Sequence, residues 1–509
     1  MTDSTIRMKR ITKNTLLLFV RMLVLTIVNL YAVRLLLGGL GKSDYGLFNA
    51  IAGVVMMSSC IVPVLSQAVQ RFYSYLSGKG RFDQLQEVFS TSVNIIFITC
   101  LLLIVIFETI GVWLVNTQMN IPTDRIYAAN IIFQFATVSF FTTLLQIPYT
   151  AAIFAHEDMN VFAYVSCLDC LLKLLSALLI GLSPFDNLIS YSFCLMISSM
   201  VVLSTYYSYT RRKYQECNYI RLKSTRYYSR ILSFTGWSML GSLAGVGLIQ
   251  GSTILLNIFF GPIINAAFAI AISIYNAMLA LGNCIILAFR PQMIKSYAVD
   301  DYKALNTLFS VSNKCILYLL AIVSIPLYME LERVLDIWLG DVTNETVLFV
   351  KLMLIYTICL SISSPITTII QATGRIKHYY VFCDSMTLMH LPIAFILLKF
   401  NLPSESVLYS MIGVALIAHF IRIIVLKKEY IQFSMKTYLF EFMFRGAIII
   451  AISTILSLSI KDILNNSIGG HIVSILFSIM LTTTLSIVFG TNVNERMPIL
   501  SIVKKLIRK

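Results

Sequence analysis

Apolar runs of about 20 residues recur along this chain, separated by glycine, proline and charged residues. A run of that length is what an α-helix needs to cross the hydrocarbon core of a bilayer. We therefore predict an all-α polytopic membrane protein with about 14 transmembrane helices. The predicted spans are 12–38, 44–70, 86–114, 126–154, 159–182, 187–210, 231–258, 263–289, 305–328, 346–372, 378–399, 404–426, 437–459 and 470–490.

The composition agrees with lipid as the main solvent of the chain. Of the 509 residues, 58% are hydrophobic and 12% are charged, and the mean hydropathy is +0.82. A soluble domain carries about 25% charged residues. The basic start "MTDSTIRMKRITK" leads into an apolar run that is longer than the roughly 7–15 residues of a signal peptide, so we expect the first span to be retained.

The positions of the basic residues predict the orientation. With an even number of spans, most of the 39 lysines and arginines fall on the side that holds both termini. The other side receives Lys42, Arg125, Arg333, Lys399 and Lys461. Basic loops stay in the cytoplasm, so both termini are predicted to be cytoplasmic. The net charge of +15 is then a signal of orientation and a contact for anionic lipid, and we expect no nucleic-acid partner.

The chain also resembles itself at a separation of about 220 residues. "LQEVFSTSVN" at 85–94 aligns with "LNTLFSVSNK" at 305–314, and Pro148 aligns with Pro365. Six spans lie between the copies, so the copies share one orientation and should be related by a pseudo-two-fold axis along the membrane normal. The predicted domains are a first lobe of six helices at 1–215, a second lobe of six at 216–430, and two added helices with a basic tail at 431–509.

The first span contains Arg21 and Arg34 but no acid. A charge inside a membrane costs about 2.5–3.5 kcal/mol and usually faces a cavity or a partner. We expect Arg21, with Asn14 on nearly the same helix face, to line a polar cavity that binds the substrate; a structural bond to a neighbouring helix is the alternative. Arg34 lies near the outer surface and is either part of that cavity or snorkels to the head groups.

Two carboxylates within spans are candidates for ion coupling. Asp169 lies four residues before Lys173, the favourable order for a pair on one helix, so the two either neutralise each other or line the cavity. Asp384 and Lys314 are in the second lobe, near the cytoplasmic ends of their spans.

Spans seven and eight carry amides and small residues in place of charge. Four amides give the two spans a mild polar face and are candidate substrate contacts: Gln250, Asn257, Asn276 and Asn283. Gly241 and Gly245 have the spacing of close helix contacts, but they could also let the helix bend. Pro148 and Pro365 interrupt helices at equivalent places and are candidate hinges.

The sequence contains no clear motif for metal binding, redox chemistry or catalysis. The ten cysteines lie almost entirely in apolar spans, and we interpret the one close pair, Cys167 and Cys170, as packing residues. His390 and His419 are lone histidines in apolar spans, where packing or a helix–helix hydrogen bond is expected. There is no phosphate-binding loop, metal cluster or nucleophile–base pair, so we expect neither an enzyme nor a cofactor.

Two stretches resemble a known family. "RLLLGGLGKSDYGLFNAIAGVV" at 34–55 and "QATGRIKHYY" at 371–380 resemble the Wzx-type polysaccharide exporters, flippases for lipid-linked oligosaccharides. That family belongs to the superfamily of the multidrug and toxin extruders (MATE-like). The resemblance implies a substrate carried on undecaprenyl diphosphate, moved from the cytoplasmic to the periplasmic leaflet of the bacterial inner membrane for O-antigen, lipopolysaccharide or capsule synthesis. It also implies a polymerase and glycosyltransferases of the same pathway as possible partners.

Two rivals stay open at this point. A cation-coupled multidrug extruder of the same fold typically needs an acid in span one or seven, and both spans lack Asp and Glu. A non-transporting scaffold for a glycan-synthesis complex could use the basic loop 211–230 to bind an anionic partner.

Overall fold

A computed structural model of the protein describes residues 3–118, 121, 123–180, 186–221, 225–339, 343–463 and 468–491. At some helical positions, most of them in the first helix, it describes only the backbone and not the side chain. The described residues are helical almost throughout and contain no strand. The helices are α1 (Asp3–Met56), α2 (Ile61–Gly78), α3 (Phe82–Ile106), α4 (Ile126–Leu145), α5 (Ile147–Ala155), α6 (Met159–Leu178), α7 (Asn187–Lys213), α8 (Arg226–Phe260), α9 (Pro262–Ala298), α10 (Tyr302–Met329), α11 (Leu331–Leu339), α12 (Asn344–Ser361), α13 (Ser364–Thr373), α14 (Lys377–Tyr379), α15 (Ser385–Leu388), α16 (His390–Lys399), α17 (Ser406–Glu429), α18 (Met435–Thr437), α19 (Arg445–Ile463) and α20 (Ile468–Val488).

The predicted all-α polytopic fold is confirmed. Twelve helical stretches of the described chain, from Phe82–Thr117 to Gly469–Val488, are long and apolar enough to cross a membrane. They correspond one to one with the predicted spans three to fourteen. Spans one and two differ from the prediction, because α1 runs without a break through residues 39–43, where a loop was expected. No proline occurs before Pro63, so no backbone N–H is missing and the glycines at 38, 39 and 41 are accommodated within the helix.

Local signals in the sequence explain where several helices begin and end. The Asp186 carboxylate accepts hydrogen bonds from the backbone N–H groups of Leu188 and Ile189 (2.9 and 3.2 Å) and caps α7. Asp301 caps α10 in the same way, at 3.1 Å from the Ala304 nitrogen. Gly261 separates α8 from α9 with a φ of 80°, a conformation that a residue with a Cβ rarely adopts.

The described chain divides into two compact units, one of Leu16–Met239 and one of Met1–Thr15 with Leu240–Lys509. In the first unit, α7 packs against α4 and α6, and α2 packs against α5. In the second unit, α9 packs against α10 and α12, while α10 also contacts α19 and α20.

Some aligned positions of the internal repeat are buried in both copies. Leu85 and Leu305 are completely buried, and Ser92 and Ser312 are as well. Pro148 and Pro365 each stand in the first turn of a short helix that follows an interrupted one, α5 after α4 and α13 after α12. The first turn of a helix tolerates proline because its N–H has no intrahelical partner.

The described part of the basic loop 211–230 lies against α3. The Ile220 N–H donates to the Ser90 hydroxyl at 3.0 Å, and the Gln86 side chain donates to the Asn218 carbonyl at 3.1 Å. Tyr228 bonds with Asn94 at 2.6 Å. These bonds hold the backbone of the loop along the helix.

A polar cluster fixes the start of the same loop. His156 stacks on Tyr214, with ring centroids 4.2 Å apart, and bonds with Glu216 at 2.5 Å. Asp158 accepts from Lys213 at 2.7 Å and from the Tyr214 hydroxyl. Burial alone would raise the pKa of Asp158, but hydrogen bonds from Lys213 and Tyr214 outweigh it and lower the pKa.

Candidate functional site

Arg290 is a charged group inside a membrane-spanning helix of the second unit. It belongs to α9, which continues past the predicted end of its span to Ala298. Its Nε atom is inaccessible and has no hydrogen-bond partner among the described residues, and no described carboxylate forms an ion pair with it. The Tyr380 phenol interacts with it electrostatically. The charge of Arg290 is thus not balanced by a carboxylate of the described residues.

Arg422 lies in the same unit and has an acid partner. Its Nη2 atom is 3.3 Å from Oδ1 of Asp384, and Nη1 is 3.4 Å from the Ser363 hydroxyl. The two side chains of the ion pair are 6% and 13% exposed. Ser363 bonds in turn with Nδ1 of His419 at 2.8 Å. One buried network therefore joins α17, the residue immediately before α13 and the segment that contains Asp384.

Tyrosines and a glycine surround this pair. The Tyr379 ring faces the Arg422 guanidinium at 6.0 Å, and its hydroxyl bonds with Thr367 at 2.5 Å. A Cβ atom on Gly241 of α8 would lie 2.3 Å from Oδ2 of Asp384 and 2.7 Å from the Tyr380 ring. Gly241 is therefore a site of close helix contact, whereas a Cβ on Gly245 would meet nothing within 4 Å.

In the first unit, Arg21 contacts a neighbouring helix. Its guanidinium carbon lies 4.5 Å from the centre of the Phe162 ring of α6, the geometry of a cation–π contact. Arg21 and Asp169 both interact electrostatically with Tyr206 of α7. The cavity role predicted for Arg21 stays a prediction.

Asp169 and Lys173 form the expected pair. Nζ of Lys173 is 2.7 Å from Oδ2 of Asp169, and the side chains are 50% exposed for the lysine and 32% for the aspartate. The two charges therefore neutralise each other on the surface of α6. Pro148 lines a small cavity of about 240 Å³ in the first unit, together with Tyr149 and Tyr207, which leaves room beside the break between α4 and α5.

The remaining predicted site residues differ in their exposure. Asn14 is buried, while Gln250, Asn276 and Asn283 are exposed. The side chains of Arg34 and Asn257 lie outside the described part of the structure. The histidines make the expected helix–helix bonds, since His390 bonds with Ser252 at 2.8 Å and Ser410 at 2.7 Å.

The sequence analysis did not single out Arg290 or Arg422. It counted Arg290 and Arg422 among the basic residues of cytoplasmic loops, but both lie within helices of the second unit. The signal that could have found Arg290 is the uninterrupted apolar run before it, "CIILAFRPQMIK" at 284–295. For Arg422 the signal is His419, one turn earlier in the same apolar helix.

It also missed a buried acid that binds the last two helices. Glu330 is 3% exposed and accepts from Nδ1 of His471 at 2.7 Å and from the Ser474 hydroxyl at 2.8 Å. Nζ of Lys461 lies 3.7 Å away. Within the described part of the chain no group of three acid, histidine or cysteine side chains could hold a metal ion.

The fold is shared with known transporters. The chain is similar to an outward-facing multidrug-resistance MATE transporter of the MOP superfamily, with 14% identity, a TM-score of 0.70, and coverage of 84% of this chain and 99% of that one. The Vibrio cholerae MATE transporter VcmN in the bent form matches at 17% identity and a TM-score of 0.67, over 84% and 98% of the two chains.

A third similar structure is a MOP-superfamily transporter from Pyrococcus furiosus, in which the reverse polarity of the binding pocket suggests a different function. It is 14% identical with a TM-score of 0.69, over 84% of this chain and 98% of that one. No protein-family model matches the sequence, and no curated protein matches it either. The chain has the fold of the MATE transporters of the MOP superfamily.

Proposed function

We propose that this protein is a flippase that moves an anionic, lipid-linked oligosaccharide across the membrane by alternating access. The cargo would be an oligosaccharide repeat unit on undecaprenyl diphosphate, turned from the cytoplasmic to the periplasmic leaflet of the bacterial inner membrane. Both termini would be cytoplasmic, and the product would serve the synthesis of O-antigen or capsule.

The observation that carries this proposal is Arg290. A charge inside a membrane costs about 2.5–3.5 kcal/mol, so it normally lies against a partner of opposite sign. Arg290 has no such partner among the described residues, although Asp384 and Arg422 in the same unit neutralise each other. A guanidinium binds phosphate oxygens through forked hydrogen bonds, which makes a diphosphate a suitable ligand.

The charges of the other intramembrane residues argue in the same direction. Asp169 and Asp384, the two acids predicted to couple ions, are each bound to a base. The stretches 14–39 and 231–260 contain neither Asp nor Glu. A positively charged drug or a coupling cation would therefore find few unpaired carboxylates, whereas an anion would find Arg290. The reversed pocket polarity of the Pyrococcus furiosus transporter is a precedent, within this fold, for a site of altered charge.

The strength of one such contact suits transport. At 4 Å and an effective dielectric constant of about 20, a single charge pair is worth roughly 4 kcal/mol. That is enough to hold a head group during passage and weak enough to release it. The apolar tail of the carrier can stay in the bilayer throughout, because only the diphosphate and the sugars need a polar path.

The proposal can be tested with the purified chain in lipid vesicles. The measurement is the rate at which a fluorescent diphosphate-linked oligosaccharide lipid crosses the bilayer. Arg290→Ala should reduce this rate at least tenfold, since one charge-assisted bond is worth about 1.5–3 kcal/mol. Arg290→Lys should retain part of it. Arg81→Ala is the matched control, because it removes the charge of an exposed arginine at the start of α3.

The multidrug extruder is tested in the same vesicles with a cationic dye and an imposed proton or sodium gradient. One similar transporter of this fold is a multidrug-resistance transporter. Dye efflux by the wild type without lipid movement would therefore contradict the flippase. If the protein moves neither compound but binds a polymerase or glycosyltransferases stably, the result would favour the rival function of a non-transporting scaffold. The packing of residues 218–220 against α3 leaves less free backbone in the basic loop for such a partner.

A further inference from the structure

A groove of about 810 Å³ runs along one side of α7 in the first unit. We call it the α7 groove; its described lining is Ile197, Met200, Val201, Ser204, Thr205, Ser208, Tyr209, Arg212 and Lys213. These positions recur three or four residues apart and form one continuous stripe on the helix. None of them takes part in the buried arginine network of the second unit.

The polarity of the α7 groove changes in order along the helix. Its first three residues are apolar and lie at one end, and exposed Met200 and Val201 are among them. Hydroxyl groups follow, and Arg212 with Lys213 ends the stripe. The rise of 1.5 Å per residue places Arg212 about 22 Å from Ile197 along the axis. That distance is about half of the roughly 40–45 Å thickness of a bilayer with its head groups.

Several polar groups of the stripe are available to a ligand. Ser204, Ser208 and Arg212 are exposed, and the described residues provide no hydrogen-bond partner for their side chains. Lys213 donates to Asp158 at 2.7 Å and to the Tyr209 hydroxyl at 2.8 Å, which leaves one of its three N–H groups. Because Asp158 offsets the charge of Lys213, Arg212 is the main source of positive charge in the groove.

We propose that the α7 groove is a binding site for one anionic phospholipid of the surrounding leaflet. An acyl chain would lie along Ile197, Met200 and Val201. The serine hydroxyls would bond to the glycerol and ester oxygens, and Arg212 would bind the phosphate. This order of contacts matches the order of groups in a lipid, whereas a free phosphate ion would use only the basic end. The site is independent of the proposed cargo and lies in the other unit from Arg290.

The test measures lipid binding, so it does not depend on transport. The full-length chain is purified in detergent, and the binding of phosphatidylglycerol and of phosphatidylcholine is measured by native mass spectrometry. We expect phosphatidylglycerol to bind more tightly. Arg212→Ala should weaken the tightest phosphatidylglycerol site about tenfold, since a bond to a charged group contributes about 1.5–3 kcal/mol. Arg212→Lys should weaken it less.

Lys428→Ala is the matched control, since it also removes one exposed positive charge, at the end of α17. It should leave the binding unchanged. A photoactivatable phosphatidylglycerol should crosslink within residues 197–213 in the wild type and lose that crosslink in Arg212→Ala.

Three results would overturn the proposal. Equal loss of binding in Arg212→Ala and Lys428→Ala would show a diffuse charge effect, and crosslinks outside 197–213 would show another site. Displacement of the lipid by millimolar inorganic phosphate would show a free-anion site. If a polyprenyl diphosphate bound the groove more tightly than phosphatidylglycerol, the groove would belong to the cargo.

Discussion

The buried pair of Asp384 and Arg422 allows a sharp distinction between a structural and a coupling role. We consider the change Asp384→Asn, which keeps the shape of the side chain and removes its charge. Arg422 would then be a buried cation with the Ser363 hydroxyl and an amide as neighbours, in the same unit as the unpaired Arg290. The second change, Arg422→Met, removes the other charge and keeps a long side chain.

The geometry sets the size of the effect. At 3.3 Å and an effective dielectric constant of about 20, the charges attract each other by roughly 5 kcal/mol. Removing one partner of a buried pair costs about 3–5 kcal/mol, because the other charge is left without compensation. Replacing both partners by residues of similar volume is often neutral. We therefore expect Asp384→Asn to lower the free energy of unfolding by about 3 kcal/mol and the double variant Asp384→Asn/Arg422→Met to restore most of it.

The assay is unfolding of the purified chain in mixed micelles, followed by circular dichroism, with transport measured in parallel. If Asp384 is structural, the double variant recovers both stability and transport. A double variant that is stable but inactive would give the acid a role in coupling. A double variant as unstable as Asp384→Asn would refute the reasoning, because the loss would then come from the packing against Gly241 and not from charge.

Two further predictions use features of the separate units. Gly241→Ala should destabilise the second unit by about 1–3 kcal/mol, because the added Cβ overpacks the contact. Gly245→Ala should be neutral or slightly stabilising, because its Cβ meets open space. Equal effects of the two changes in thermal unfolding would contradict this prediction. The lowered pKa of Asp158 means that its contribution to stability is present at neutral pH and is lost as the pH falls below about 4, through that lowered pKa. The protection factor of the peptide around buried Cys217, which is the intrinsic exchange rate at each pH divided by the observed rate, should therefore fall only below about pH 4, and at a higher pH in Lys213→Met. A protection factor that does not depend on pH in either protein would contradict the role of the pair.

The sequence was sufficient to predict the class of the protein and most of its helices. Apolar runs of bilayer length occur at a spacing that soluble proteins do not show, and spans three to fourteen follow from them within a few residues. The repeat stays a prediction, although its aligned residues Leu85 and Leu305 are both buried. Pairs on one helix, such as Asp169 and Lys173, followed from the period of the helix alone. The prediction was wrong at the beginning of the chain, where α1 continues through the loop that was expected between spans one and two.

Only the tertiary structure decided which charges meet across helices. Asp384 and Arg422 are 38 residues apart, and Glu330 and His471 are 141 apart, so no spacing rule connects them. Arg290 looked like one more basic residue at the end of a span, but α9 continues beyond it, and the groups beside it depend on how α9 packs in its unit. The physical reason is that hydropathy and helical period are properties of a single segment. The compensation of an intramembrane charge depends on which other segments lie beside it.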